Sequence, residues 1–149
     1  MLARTLIAIA FLLPGSALAC GSTEQLAFSC TTTRGTFIEV CQAPSSIHFS
    51  WRKKKGQKPE VESRVSNSSL LWTGEGDSQL GSDDLFFPHG KLKLNLSITS
   101  NYHEDGTSAD LFVFDGYQRL STIRCESGTV NFARDVIKAN RGINRDNSH

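Results

Sequence analysis

One short segment combines the residue types that could support chemistry. His103, Glu104 and Asp105 place an imidazole beside two carboxylates, a combination suited to metal binding or to acid–base catalysis. Adjacent residues of one loop cannot all reach a single ion, and the chain has no HxxxH or HxH spacing that would complete a ligand set. It also has no Gly-x-Ser-x-Gly elbow, phosphate-binding loop or dinucleotide fingerprint. The sequence therefore predicts a protein that is not an enzyme and binds neither a metal nor a cofactor.

Two further segments carry residue types that recognise partners. The first is a basic turn of sequence RKKKGQKP over residues 52–59, which favours a solvated turn or an electrostatic handle for an acidic partner. The second is the polar loop around residue 102, where an aromatic side chain would offer a large contact area at low entropic cost. We therefore expect another protein to be bound by the following residues: Tyr102, His103, Arg52, Lys53, Lys54 and Lys55.

The N-terminus predicts export from the cytosol. Residues 1–19 read as a signal peptide, with Arg4 as the positive region, Thr5–Leu13 as a short apolar region and Ala17-Leu18-Ala19 before the cleavage point. The apolar run is too short to cross a bilayer. Removal of Arg4 with the signal leaves fifteen basic residues against fifteen acidic ones. This balance argues against nucleic acid as a partner. Because of the signal peptide, we expect a periplasmic or secreted protein.

All four cysteines follow the predicted signal, and an even number in an exported domain predicts two disulfides with three alternative pairings. Cys30–Cys125 is the favoured long-range bond, because it would join the first and last strands and close a long loop, and Cys20–Cys41 is then the other. Cys20 could instead carry a lipid anchor. This alternative is disfavoured, because it would leave one unpaired thiol.

The remaining sequence predicts a single disulfide-bonded β domain over residues 20–141 and a flexible tail over 142–149. Short segments of period-two alternation predict about eight strands in a small antiparallel β-sandwich or open barrel. The clearest strand begins at Lys91, and Asp115-Gly116 predicts a hairpin turn. Residues 73–84 are rich in turn formers, and Asn131–Arg141 has the spacing of a short amphipathic helix. The predicted core comprises Leu92, Leu94, Leu96 and Ile98, together with Phe49, Trp51 and either Leu111 or Phe112.

Three segments carry a resemblance to known proteins: Phe28-Ser29-Cys30-Thr31-Thr32, Ile38-Glu39-Val40-Cys41 and Thr122-Ile123-Arg124-Cys125. They resemble small exported β-rich proteins of Gram-negative bacteria, most of them uncharacterised. The layout is also similar to that of the periplasmic inhibitors of C-type lysozymes. The segment Ser-Gly-x-Arg-Tyr, with which those inhibitors enter the lysozyme cleft, has no counterpart in this chain. The resemblance therefore implies an exported inhibitor, but it implies no individual site residue.

Together these features favour a non-enzymatic binding or inhibitor protein that blocks a cell-wall hydrolase or gives immunity against one. Loops on a rigid, disulfide-bonded β scaffold are where such recognition commonly lies. Two alternatives remain open at this point. One is a small secreted enzyme, and the other is a structural domain used in assembling the cell envelope.

Overall fold

A computed structural model describes residues 20–75, 80–101 and 106–140. The predicted signal peptide and tail lie outside the described residues, as do Tyr102 and His103. The described chain consists of strands and one short C-terminal helix, with these bounds: β1 Gln25–Thr31, β2 Phe37–Gln42, β3 Ser46–Arg52, β4 Val61–Ser66, β5 Leu71–Glu75, β6 Leu80–His89, β7 Leu92–Asn101, β8 Gly106–Asp115, β9 Gln118–Arg124, β10 Asn131–Phe132 and α1 Arg134–Asn140.

The strands form two antiparallel sheets of five strands each, in the orders β10-β1-β2-β3-β4 and β5-β6-β7-β8-β9. Apolar side chains from both sheets share one core, in which the rings of Phe49 and Phe87 lie 5.2 Å apart between centroids. Trp51 and Leu92, which we also expected in the core, are half-buried. The predicted all-β sandwich is confirmed, with ten strands rather than about eight.

Strand β7 shows how the sequence pattern sets the two faces of the second sheet. Leu94, Leu96 and Ile98 are at most 3% exposed and point into the sandwich, as their alternation predicts. Leu111 on β8 is fully buried beside them, whereas Phe112 points to the opposite face. Of the two options left open by the sequence, Leu111 is therefore the core residue.

Both predicted disulfides are present in the structure. Cys30 on β1 is bonded to Cys125 directly after β9, and Cys20 is bonded to Cys41 on β2. The backbone supports the longer connection, because Thr32 forms an antiparallel bridge with Cys125. Since the sulfur of Cys20 lies in a disulfide, a lipid thioether at the same atom would require that bond to be absent.

Hydrogen bonds join the second sheet to the first at both ends, one to β1 and the other to β4. After β9, the backbone N–H of Glu126 donates to the carbonyl of Thr31, 2.7 Å away. At the end of β6, the hydroxyl of Ser63 on β4 donates to the carbonyl of Pro88. Strands β6 and β9 run in opposite directions, so these two contacts hold the second sheet to the first at both ends.

The C-terminal helix is shorter than its predicted range. It begins at Arg134, because the preceding Asn131 and Phe132 form a two-residue strand with β1. The ring of Phe132 meets that of Phe28 edge-on, 6.4 Å between centroids, and this contact holds the segment in extended form. Ile137 in this helix is fully buried. No helix among the described residues is long and apolar enough to cross a membrane.

Candidate functional site

The basic turn between β3 and β4 is held by its own contacts. Arg52 Nε lies 3.0 Å from the carboxylate of Glu39, and its terminal nitrogen donates to the carbonyl of Gln57 over 2.9 Å. Lys53 pairs with Glu60 at 2.9 Å. Arg52 therefore orders the turn, while Lys54 and Lys55 are exposed. The expectation that these four residues bind a partner stays a prediction, as does the role of Tyr102 and His103.

Within the described residues, one group of three side chains has the spacing of metal ligands: Cys20, Glu24 and Cys41. Its two sulfurs are joined in the disulfide and are not thiolates, so the group offers only one carboxylate. That carboxylate accepts from the backbone N–H of Gly21 over 2.9 Å and pairs with Arg64 at 3.1 Å. These two contacts hold the pKa of Glu24 below its usual range, the Gly21 hydrogen bond having the larger effect. The arrangement fixes the N-terminal segment on the first sheet.

A buried polar cluster connects the helix to the second sheet. The side chain of Asp83 is 3% exposed, accepts from the indole N–H of Trp72 over 2.8 Å and pairs with Arg134 Nε at 3.0 Å. Gly74 is part of the same cluster, because a Cβ atom there would lie 2.5 Å from the Asp83 carboxylate. The carboxylate is satisfied by these donors and enclosed, so we assign it a structural role.

The outer face of the second sheet carries an apolar patch among polar and charged side chains, whereas the exposed face of an antiparallel sheet is usually polar throughout. Phe86 on β6, Asn95 on β7 and Phe112 on β8 are cross-strand neighbours on this face, and all three are half-buried. Phe114 lies on the same side of β8, with its ring centroid 6.4 Å from that of Phe112. Leu71 on β5 extends this row and is 57% exposed. We call these five residues the aromatic face.

Two cations lie over the rings of the aromatic face. Lys93 Nζ is 5.4 Å from the centroid of Phe86 and 5.5 Å from that of Phe114. The guanidinium carbon of Arg119 is 5.5 Å from the centroid of Phe112. Attraction between a cation and a ring quadrupole favours these positions, and both charged groups remain exposed to solvent.

Asn95 is the polar exception in the middle of the aromatic face. Its side-chain oxygen is buried and meets no hydrogen-bond donor among the described residues. A buried acceptor without a donor costs about 1–3 kcal/mol of stability. Packing alone therefore does not favour the Asn95 side chain between Phe86 and Phe112.

Next to this face, the β8–β9 hairpin presents the most exposed aromatic side chain of the described residues. The predicted hairpin is present, and its two-residue loop is Gly116-Tyr117, one residue later than the Asp115-Gly116 pair. Gly116 has the positive φ of 58° that such turns require. Tyr117 is fully exposed, and Leu120 at the bulge in β9 is 52% exposed. We call these two residues the hairpin tip.

The outer face of the first sheet has the opposite character. Its ionisable side chains pair among themselves: Arg52 with Glu39, Arg64 with Glu24, and His48 with Glu62 at 3.5 Å. Polar groups satisfied in this way offer little to a partner, because new contacts would have to replace existing ones. Of the two faces, the second sheet is therefore the candidate binding surface.

We did not predict this surface from the sequence, although a signal for it exists. Phe86 stands beside Phe87, and Phe112 beside Leu111, so apolar residues occupy both faces of β6 and β8. Comparison of the chain with protein families, with curated proteins and with solved structures finds no match to any of them. The surface must therefore be interpreted from its own chemistry.

Proposed function

We propose that this chain is an exported, non-enzymatic binding protein that recognises another protein through the aromatic face and the hairpin tip. The observation that carries the proposal is the fully exposed Tyr117 near the aromatic face, where Leu71 is also exposed and the three phenylalanine rings are half-buried. Exposed apolar patches are rare on monomeric proteins and mark interaction sites. Aromatic and arginine side chains are also the residue types that dominate binding energy.

Protein is the partner class that the charges favour. Fifteen basic and fifteen acidic residues after the predicted signal give no net positive field for nucleic acid or an anionic lipid surface. The two disulfides are typical of an oxidising compartment outside the cytosol, which supports a periplasmic or secreted location. We further propose that the partner is a cell-wall hydrolase, inhibited by or neutralised through this surface, as the similarity of layout to lysozyme inhibitors implies.

The test begins with capture of partners from a periplasmic extract by the disulfide-bonded protein, alongside a panel of purified cell-wall hydrolases. Affinities are then measured by calorimetry for the wild type and for Tyr117→Ser and Leu120→Ser. We expect each variant to weaken binding at least tenfold, since truncated hot-spot residues cost about 2 kcal/mol or more. Both side chains are exposed, so neither substitution should change the fold.

Leu26→Ser is the matched control, because Leu26 is another exposed leucine, at 38%, but lies on the first sheet. It should leave the affinity unchanged. Failure to recover any partner would contradict the proposed binding function. Equal affinity for the wild type and both hairpin-tip variants would show that recognition does not use this surface. Loss of lytic activity when the partner is a hydrolase would establish inhibition.

A further inference from the structure

Lys93 and Arg119 differ from the other cations of the second sheet because neither has an anionic partner among the described residues. Nearby, Lys91 pairs with Asp115 and Arg124 pairs with Asp110, both at 3.2 Å. Within the part of the chain that the structure describes, no such ion pair is found for Lys93 or Arg119. The carboxylates of Asp110 and Asp115 are thus paired with other cations.

From this we infer that Lys93 and Arg119 bind carboxylate groups of the protein partner, which presents an acidic segment with an adjoining apolar stripe to the aromatic face. The inference rests on the proposed function and specifies the partner's chemistry. Charge complementarity supports it, because two exposed cations lie above an apolar surface. Burying them without an anion would cost affinity, so the occupant must supply negative charge.

The rings prepare both cations for this role. A guanidinium that lies over the ring of Phe112 keeps the donors along its edge free for bidentate contact with a carboxylate. Lys93, with contacts to the two rings of Phe86 and Phe114, is restricted before binding. Side chains that are already ordered lose less entropy on binding, which raises affinity.

The register of the sheet sets the spacing of the two backbone positions that carry these charges. Lys93 on β7 and Arg119 on β9 are both paired with Phe114 on the intervening β8. Two strand spacings separate the backbones by about 10 Å. Carboxylates seven residues apart on a helix are about 10.5 Å apart. A helical segment with glutamates at i and i+7, and apolar residues on the same side, therefore suits this surface.

The experiment uses a synthetic helical peptide with two glutamates seven residues apart beside leucines, and a second peptide in which both glutamates are glutamines. Binding to the ¹⁵N-labelled, disulfide-bonded protein is followed by amide chemical-shift perturbation at low ionic strength. We expect the glutamate peptide to perturb β7–β9 and to bind at least tenfold more tightly than the glutamine peptide. The difference should shrink as salt is added.

The variant Lys93→Gln/Arg119→Gln should lose this preference, while Lys54→Gln/Lys55→Gln, which removes two exposed charges on the first sheet, should retain it. Arg119→Lys should give an intermediate affinity, because an ammonium cannot make the bidentate contact. Equal binding of both peptides, no binding of either, or equal losses in the two double variants would overturn the inference.

The partner recovered by capture separates this inference from the proposed function. If Lys93→Gln/Arg119→Gln binds that partner as tightly as the wild type while Tyr117→Ser does not, carboxylate recognition is wrong and the binding surface stands. If Tyr117→Ser and Leu120→Ser both keep full affinity for it, the proposed function itself fails.

Discussion

Replacing Asn95 with leucine should stabilise the protein. The buried side-chain oxygen of Asn95 has no hydrogen-bond donor in the described part of the chain, and Asn95 lies between the half-buried Phe86 and Phe112. Leucine has nearly the same shape, removes the unsatisfied acceptor and adds apolar contact to both neighbouring rings. Since an orphaned buried acceptor costs about 1–3 kcal/mol, Asn95→Leu should raise the free energy of unfolding by at least about 1 kcal/mol.

The measurement is urea denaturation of the oxidised protein, with the melting temperature as a second readout. For a domain of this size, 1 kcal/mol corresponds to a shift of about 3–4 °C in the melting temperature. Ser97→Val is the matched control, because Ser97 is half-buried two residues along the same strand and on the same face. It adds apolar surface without removing a buried orphaned acceptor.

A lower unfolding free energy for Asn95→Leu would refute this reasoning. A gain no larger than that of Ser97→Val would do so as well, since it would assign the effect to apolar surface alone. A gain as large as expected would mean that the native residue is kept at a cost in stability. Such costs are found where a surface serves function rather than folding.

Three further outcomes follow from the structure. Replacing both Cys30 and Cys125 by serine should lower the unfolding free energy by about 4–5 kcal/mol in the chain-entropy model, because the bond spans 95 residues. Urea denaturation measures this loss, and a loss below about 1 kcal/mol would contradict the prediction. Arg134→Ala should cost about 3–5 kcal/mol, since it leaves the buried carboxylate of Asp83 without its cation, and Arg134→Ala/Asp83→Asn should recover part of that loss. The pKa of Glu24 is lowered from 4.5 in the folded state, so the ionised carboxylate should stabilise the protein above pH 4.5, and this contribution should be lost as the pH falls through the lowered pKa. The difference in unfolding free energy between wild type and Glu24→Gln should therefore be larger at pH 7 than at pH 2. A difference that does not depend on pH would contradict this prediction.

The sequence predicted those parts of the fold that depend on local pattern. Alternation of Leu94, Leu96 and Ile98 defines a buried face because successive side chains of a strand point to opposite sides. Residues 73–84 were interpreted as turn-rich, yet β5 and β6 run through most of this range. Pairing with β7 along the whole of β6 explains the difference, because tertiary hydrogen bonds override weak local propensity.

The C-terminal strand and the aromatic face could not be predicted in the same way. A strand of only two residues, Asn131 and Phe132, has no measurable period, and it forms because β1 offers backbone groups for pairing. To predict the aromatic face, one must know which side of the second sheet is covered by the first. A strand such as β8, with Leu111 and Phe112 adjacent, is apolar on both sides whether its second side meets a core or a partner.

The two outer faces predict opposite consequences for two arginines of the same charge. Arg52 is 13% exposed and neutralises Glu39, which is 8% exposed, so Arg52→Gln should lower the unfolding free energy by about 3 kcal/mol and leave the partner affinity unchanged. Arg119 is exposed, and its one charge interaction with the described residues is with the ring of Phe112. Arg119→Gln should therefore change stability by no more than about 0.5 kcal/mol while weakening partner binding. For each variant, denaturation gives the unfolding free energy and calorimetry gives the affinity for the partner. A loss of affinity in Arg52→Gln equal to that in Arg119→Gln would place recognition on the first sheet, at the basic turn, instead of on the aromatic face.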